Sequence, residues 1–500
     1  PPRDLLDKPS FVRASRRYWP RIQEASTGIG VICGVVSENE NAPGKPYHNT
    51  ALFFADGKLI TSAHKRLLPS YDVFDEERYF EPGDRAVWVD FKGERLGITI
   101  CEDIWNVADY LPRPLYHCDP LNELGAAGVE ILINISASPY HVGKAAWVGE
   151  LLKTQAQQFN QQLIYVNQVG GNDELIFHGH SMVWDQTGQL VARGADFRED
   201  LIVYDTRTRE GEFHNTIDDP ACEVIEALVL GLRDYTHRNG FRKAVVGLSG
   251  GIDSALVACL AALALGVENV LGVGMPGPYN APESLEDARE LASRLGIAFE
   301  VVGIGELFSE ALKTLSPVFA GVPPDVTEEN LQARLRGLIL MSLSNKFHRL
   351  LLSTGNKSEV AVGYCTLYGD MNGGLAVIGD VPKTMVYDLA RKLNEQHQWI
   401  PERILTRAPS AELRPNQKDQ DTLPPYEVLD AILAGYVEKR LGIEEIVAQG
   451  WSTELVEWVI ERVNRNEYKR WQAPPILRVT TKAFGMGRRN PIAHGYKEGA

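Results

Sequence analysis

Ser249-Gly250-Gly251-Ile252-Asp253-Ser254 stands where one apolar run, 243–248, gives way to a second and longer one, 255–265. The first run has the length and β-branching of a buried strand, and the second is long enough for a helix, so the string is a strand-to-helix turn. Two adjacent glycines let the backbone pass close to a phosphate, and the hydroxyls and helix-start N–H groups point at it. Asp253 adds a carboxylate suited to holding Mg2+ against those phosphates. A plain strand-to-helix turn needs a glycine or two, not the whole combination. The stretch predicts a parallel α/β sheet with a phosphate-binding site at the ends of its strands.

The residues around it extend that pattern. From Cys222 onward, strands are expected at 243–248, 270–275, 298–302 and 350–353, with helices at 223–239, 284–295 and 331–345 between them. This alternation is that of a doubly wound parallel sheet, which binds ligands outside the carboxyl ends of its strands. A second strand-to-helix turn reads Ser353-Thr354-Gly355-Asn356-Lys357-Ser358-Glu359. Thr354 is placed to hydrogen-bond a nucleotide, and Glu359 to be a second metal carboxylate beside Asp253. By itself Glu359 also fits a helix capping box.

The first 205 residues differ. Short β-branched runs at 30–36, 50–54, 96–101, 129–136, 163–168 and 181–185 alternate with helical patterns, notably 145–161. Residues 206–221 are polar and aperiodic and read as a linker, which predicts domains at 1–205 and 222–500. Cys101 closes an apolar strand and opens C-E-D-I-W, an elbow expected to expose its thiol. A lone cysteine is usually a small buried hydrophobe. Here Lys65 offers a cation to stabilise a thiolate and an oxyanion.

Bulk properties narrow the class. With 500 residues, 44% hydrophobic and 23% charged, the chain is an ordinary multi-domain globular protein. Its net charge of −15, from 51 basic and 66 acidic side chains, argues against a nucleic-acid partner. The six cysteines, Cys33, Cys101, Cys118, Cys222, Cys259 and Cys365, form no C-x-x-C pair, which disfavours a zinc ribbon and suits a reducing cytoplasm. No apolar run is long enough to span a bilayer, so no membrane partner is expected.

The S-G-G-I-D-S turn resembles that of the pyrophosphate-loop ATPases, which cleave ATP between its α and β phosphates to adenylate an acid or amide. Further motifs, E-N-L-Q-A-R-L-R-G (329–337), S-T-G-N-K-S-E (353–359), Y-G-D-M-N-G-G (368–374), D-V-P-K-T (380–384) and P-S-A-E-L-R-P (409–415), resemble NAD synthetases in family order. That resemblance implies ATP as co-substrate, bound by Ser249, Gly250, Gly251, Asp253, Ser254, Thr354, Lys383 and Ser410. It implies Mg2+ on Asp253 and Glu359, and deamido-NAD on Asn330, Arg334, Glu359, Asp370 and Lys482. Lys383 suits a charge clamp on departing pyrophosphate, although composition alone would make it a solvated surface lysine. Arg334 equally fits a salt-bridged helix face.

Ammonia is mostly protonated at neutral pH, so a dedicated supplier is expected. The first half resembles the nitrilase superfamily, an α-β-β-α sandwich with a Glu–Lys–Cys triad, and within it the glutaminase domains of glutamine-dependent NAD synthetases. The resemblance implies Cys101 as nucleophile, Lys65 as triad lysine, and Tyr71, Ser138 and Lys144 as glutamine-binding residues. Glu102 and Asp103 are expected to be structural, and Glu174 to border the glutamine pocket. The family's triad glutamate lies upstream of a G-Y-P-P-E-D-L-L segment that Pro1-Pro2-Arg3-Asp4-Leu5-Leu6 matches only at its end. The expectation is a native chain extending upstream, its start close to Cys101 beside an unpaired strand edge.

Other readings stay open on the residues alone. One is a different pyrophosphate-loop amidotransferase or a tRNA-modifying enzyme. Another is an ammonia-dependent synthetase carrying a non-catalytic nitrilase-like half. The family implies at least a homodimer, with the E-N-L-Q-A-R helix near the interface. Because free ammonia would protonate or diffuse away, an enclosed path from Cys101 to the strand ends near Ser249 and Glu359 is also expected.

Overall fold

The computed structural model describes residues 2–106, 115–415 and 417–496. The chain divides into two compact units, residues 1–170 with 177–217, and residues 171–176 with 218–500. Pro1, and with it the expected position of the chain start, lies outside the described residues.

The first unit is built on two sheets. Gly30–Glu38, Tyr47–Ala55 and Lys58–His64 form an antiparallel three-stranded sheet. The second sheet has six strands, in the order Leu190–Arg193, Met182–Trp184, Gln162–Asn167, Ile131–Ser136, Glu94–Ile100, Val87–Phe91. Its middle three strands run parallel and its outer pairings are antiparallel. Ala51, Phe53, Ala55 and Ala63 of one sheet pack on Ile98 and Ile100 of the other. The far face of the six-stranded sheet is covered by helices Pro120–Ala126 and Lys144–Phe159, through Leu121, Leu124, Val148, Leu152 and Ala156. Helix Pro9–Arg16 covers the three-stranded sheet, with Val12 buried beside Leu68 and Phe80. The result is the expected α-β-β-α sandwich, because each sheet has two apolar faces to bury.

The second unit holds the doubly wound sheet, five parallel strands in the order Ala298–Val301, Val270–Gly274, Ala244–Gly247, Leu350–Ser353, Leu375–Ala376. The order reverses between Ala244–Gly247 and Leu350–Ser353, and the two turns singled out above follow these two strands. A crevice opens at such a switch point because successive helices leave to opposite faces. Helix Ile252–Leu265 is apolar nearly all round and buried over most of its length. Helices Tyr426–Leu433, Ile443–Val447 and Thr453–Arg465 bury a further core against residues 360–362, a layer that no single run of the sequence reveals.

Residues 206–221 are not a featureless linker. Tyr204–Asp205 pairs with Glu210–Gly211, Phe213 bridges Arg193, and helix Pro220–Arg238 begins on an Asp219 cap. Short-range hydrogen bonds to Asp205 shape this turn without any apolar period to reveal it.

Candidate active sites

In the second unit the S-G-G-I-D-S turn takes the shape its composition requires. Gly250 has φ +79°, and a Cβ there would collide with the Ser284 carbonyl. Ser254 Oγ lies 3.2 Å from Ser249 Oγ and donates to the Gly251 carbonyl, bracing the loop from within. The cleft beyond it is lined by Ser249, Gly250, Gly251, Asp253, Thr354, Glu359, Asp370, Lys383 and Ser410, so nine of the expected ligand residues share one cavity.

Lys383 is not a surface lysine. It is 2% exposed and its ammonium contacts Asp253 Oδ2 and, at 3.4 Å, Glu359 Oε1. Burial pulls its pKa down, but the two carboxylates overcome that and hold it above its ordinary value. Glu359 is pushed up, first by burial and then by Asp253, Asp419 and Asp370, against the pull of Lys383. Burial likewise lifts Asp370 to about 6. Two carboxylates thus contact the lysine and two more act on Glu359, a donor set of hard oxygens that fits a divalent cation bound with triphosphate. Among the described residues no preformed cluster of three or more metal-ligating side chains exists. A phosphate would have to complete the coordination.

The N-K-S-E stretch wires this cleft together. Asn356 caps its own helix through Glu359 N–H at 3.0 Å and donates to Asp253 Oδ1 at 2.9 Å. Lys357, also 2% exposed, contacts Asp380 at 3.0 Å, Glu438 at 2.9 Å, Thr480 Oγ1 at 2.6 Å and the Lys482 carbonyl at 2.9 Å. The expected dinucleotide residues divide. Asn330 accepts from Thr366 Oγ1 at 2.7 Å, Arg334 donates to the Leu367 carbonyl at 3.2 Å, and Asp370 accepts Thr366 N–H at 2.6 Å, so these three meet at one turn. Lys482, Asn330 and Arg334 are not part of the cleft wall, and neither is Ser254, which backs the loop.

In the first unit Cys101 follows strand Glu94–Ile100 in a turn of helix, with φ +45°, a left-handed conformation costly for a residue with a side chain. Contrary to the exposed elbow expected, the residue is 8% exposed. The residue packs with Ala51, Phe53, Ala63, Ile98 and Ile100 where the two sheets meet, with Lys65 and Glu76 acting on its thiol. Burial raises its pKa, opposed by Lys65. Lys65 is 1% exposed and pairs with Glu76 Oε1 at 2.6 Å; Glu76 also accepts from Asn49 at 3.3 Å. Burial would lower the Lys65 pKa, but Glu76 raises it above the ordinary value.

Asp103 holds the two halves of this site in register. One oxygen accepts the Arg66 and Leu67 N–H groups and the other the Ile100 N–H, all at 2.9 Å. It therefore ties the chain next to Lys65 to the chain next to Cys101. Glu102 accepts the hydroxyls of Tyr71 at 2.7 Å and Tyr116 at 2.9 Å. Lys144 donates to the Pro139 carbonyl at 2.6 Å and its ammonium sits 5.7 Å from the Trp105 ring centre. The Ser138 N–H is held by Asn167 Oδ1 at 2.9 Å.

Several residues were missed. Glu76 lies in an acidic run that reads as a solvated turn, and only folding brings it to Lys65. Tyr364, Tyr387 and Asp419 line the cleft of the second unit from separate elements, with no local pattern to mark them, while Arg336 and Glu412 line it from within two of the quoted motifs without having been singled out. Glu174, expected at the glutamine pocket, belongs to the second unit, where its carbonyl accepts Arg478 N–H at 2.9 Å.

A carbon-nitrogen hydrolase family model matches residues 23–211, and an NAD synthase family model matches residues 224–473. A glutamine-dependent NAD(+) synthetase of Synechocystis sp. is 46% identical, over 99% of this chain and 90% of its own length. One from Thermotoga maritima is 43% identical over 100% of this chain and 91% of its own. Among solved structures, glutamine-dependent NAD+ synthetase from Acinetobacter baumannii, in complex with ADP, is 40% identical with a TM-score of 0.76, covering 100% of this chain and 91% of that one. Similarity of this extent spans both units and both sites at once: the chain belongs to the glutamine-dependent NAD(+) synthetase family.

Proposed function

We propose that this chain makes NAD from deamido-NAD and Mg·ATP with nitrogen taken from glutamine, releasing AMP, pyrophosphate and glutamate. The reading is carried by the presence, in one chain, of a buried Cys101–Lys65–Glu76 group and a phosphate turn facing Lys383, Asp253 and Glu359.

Tyr71, Ser138 and Lys144 hold glutamine so that its amide carbon meets Cys101 Sγ. Attack by the sulfur forms a thioester and breaks the carbon–nitrogen bond, the thiol proton passing to the leaving nitrogen so that it departs as ammonia, and Lys65 stabilises the charge that develops on the carbonyl oxygen. Water then releases glutamate. In the second site Ser249, Gly250, Gly251, Thr354 and Ser410 bind ATP, with Ser254 bracing their loop from behind, while Asp370 in the cleft and Asn330, Arg334 and Lys482 outside its wall hold deamido-NAD. The nicotinate carboxylate attacks the α-phosphate, and Lys383 takes up charge on the departing pyrophosphate. Asp253 and Glu359 would hold Mg2+, which supplies neutralisation of the triphosphate. Ammonia displaces AMP and leaves the amide. We assign residues 1–205 to the glutaminase, 206–221 to the connection and 222–500 to the synthetase.

Helices Gly305–Phe319 and Val326–Phe347 expose Leu307, Val318, Val326, Leu338 and Phe347, which favours a homodimer over a monomer. Among the described residues no helix is long and apolar enough to cross a membrane, and a cytoplasmic location suits the unpaired cysteines. Incubation with deamido-NAD, Mg·ATP and either glutamine or ammonia tests the whole reading. NAD and AMP are expected with both donors. Product from ammonia alone would make the first unit non-catalytic.

A further inference from the structure

Asp430 belongs to none of the motifs and lines no part of the nucleotide cleft, yet its carboxylate reaches both of the later turns that build it. It lies on helix Tyr426–Leu433. One oxygen accepts the Ser358 hydroxyl; the other accepts the Thr384 N–H at 2.9 Å and the Thr384 hydroxyl at 2.8 Å. Ser358, fully buried, also accepts the Lys383 N–H on its Oγ at 2.9 Å. Ser358 precedes Glu359, and Thr384 follows Lys383. One carboxylate therefore joins the start of helix Lys357–Val362 to the start of helix Lys383–His397, a single residue away from each group that meets across the cleft.

Something outside the cleft must set that spacing. The contacts of Lys383 with Asp253 and Glu359 are made by the very groups that Mg·ATP would claim, so they cannot keep the two helix starts in place once it binds. Besides the sheet, two bonds join the turns directly, the Lys357 N–H to the Val381 carbonyl at 3.0 Å and the Lys383 N–H to Ser358 Oγ, and the Ser358 hydroxyl is itself oriented by Asp430. The Asp430 bonds lie behind both helix starts and survive ligand binding. A carboxylate is also favoured there by the partial positive charge of a helix N-terminus. We infer that Asp430 is a positioning residue, acting through Ser358 and Thr384 to fix Glu359 relative to Lys383 and so to set how tightly the metal–triphosphate pair is held. The inference rests on the reading above, in which Glu359 holds Mg2+.

Asp430→Asn keeps the size of the side chain but turns one acceptor into a donor, which must then face the Thr384 N–H or the Ser358 hydroxyl. The fold retains independent anchors, Lys357 on Asp380, Glu438 and Thr480, and Arg470 on the Ala361 carbonyl at 2.6 Å. Ammonia-supported synthesis should then need about tenfold more Mg2+ for half-saturation, a modest loss for a misplacement well under 1 Å. Binding of Mn2+ in the presence of α,β-methylene-ATP, followed by electron paramagnetic resonance without turnover, should weaken by a similar factor. Ser358→Ala, which deletes only one hydroxyl, should shift both in the same direction by about threefold, and it carries the test if Asp430→Asn does not fold. A lower melting temperature with unchanged Mg2+ and Mn2+ dependence in these variants would make Asp430 a support of the fold alone and overturn the inference. Glu359→Gln separates the two readings. If it leaves Mg2+ dependence untouched, the metal assignment itself fails; if it shifts that dependence and Asp430→Asn does not, only the positioning role fails.

Discussion

Lys65 and Lys383 are both buried ammonium groups held above their ordinary pKa by carboxylates, but the two sites are charged differently. Lys65 pairs with Glu76 beside a thiol whose pKa burial raises, so the resting group Cys101–Lys65–Glu76 carries an ion pair and a neutral thiol. Lys383 pairs with two carboxylates, and Asp370 and Asp419 add to the charge acting on one of them. The first site is balanced and waits for an uncharged amide. The second gathers more carboxylates than its lysine balances, a crowding that protons on Glu359 and Asp370 relieve in the empty site. Glutamine chemistry and adenylation need opposite preparations, and the burial of a lysine serves both.

The sharpest way to break this contrast is to remove the nucleophile. Cys101→Ala should lower glutamine-supported NAD formation at least about a thousandfold, while ammonia-supported formation stays within about twofold, because the thiol never meets ATP. Equal loss with both donors would place Cys101 in the core rather than the chemistry. The converse substitutions come next. Asp253→Asn or Glu359→Gln should cut synthesis by about a hundredfold whichever donor is offered, measured as initial rates at saturating ATP. Full ammonia-supported activity in either would remove the cation from the second site.

A smaller effect tests the balanced pair. Glu76→Gln leaves Lys65 buried without its counter-charge, which should cost about 3 kcal/mol in denaturant titrations and lower glutamine-supported turnover about tenfold, with ammonia-supported turnover per folded molecule unchanged. The Lys65 pKa is higher folded than unfolded, so its pairing stabilises fully below the unfolded value of about 10.4 and is lost as pH rises through the folded value. The stability gap between wild type and Glu76→Gln should therefore hold from neutral pH to about 10 and close only above it. A gap that closes near pH 8 would mean Lys65 is not held up.

The finest test concerns protons. Asp370, lifted to about 6 by burial, favours the fold most when protonated, so in the empty site its contribution declines as pH rises from its unfolded value of about 3.9 towards 6. Glu359 is raised in the same sense. A cation in the cleft lowers both again, so Mg·ATP binding near pH 6.5 should release a fraction of a proton. Calorimetry in two buffers of different ionisation enthalpy measures it. Proton uptake, or none moved, would contradict the crowding of carboxylates that keeps these two groups partly protonated.

Legibility varied with how local each feature is. The S-G-G-I-D-S and S-T-G-N-K-S-E turns were readable because a phosphate turn is built from consecutive residues, and the glycine that must take a positive φ lies inside the string. Cys101 was readable from its place at the end of an apolar strand, but its burial was not, since the chain that covers it comes from elsewhere. Residues 206–221 looked unstructured because a turn shaped by hydrogen bonds to Asp205 leaves no hydrophobic period.

By itself the sequence determined the two folds, the order of the units along the chain and the turns that carry Ser249–Ser254, Thr354–Glu359 and Cys101, because periodicity and adjacent turn residues encode these locally. Tertiary structure alone decided which charges meet. Glu76 reaches Lys65 across 11 residues, Lys383 reaches Asp253 across 130, and Asp430 reaches Ser358 across 72. A buried ion pair depends on the desolvation of both partners and on their separation to a fraction of an ångström, and neither quantity exists until the chain has folded around them.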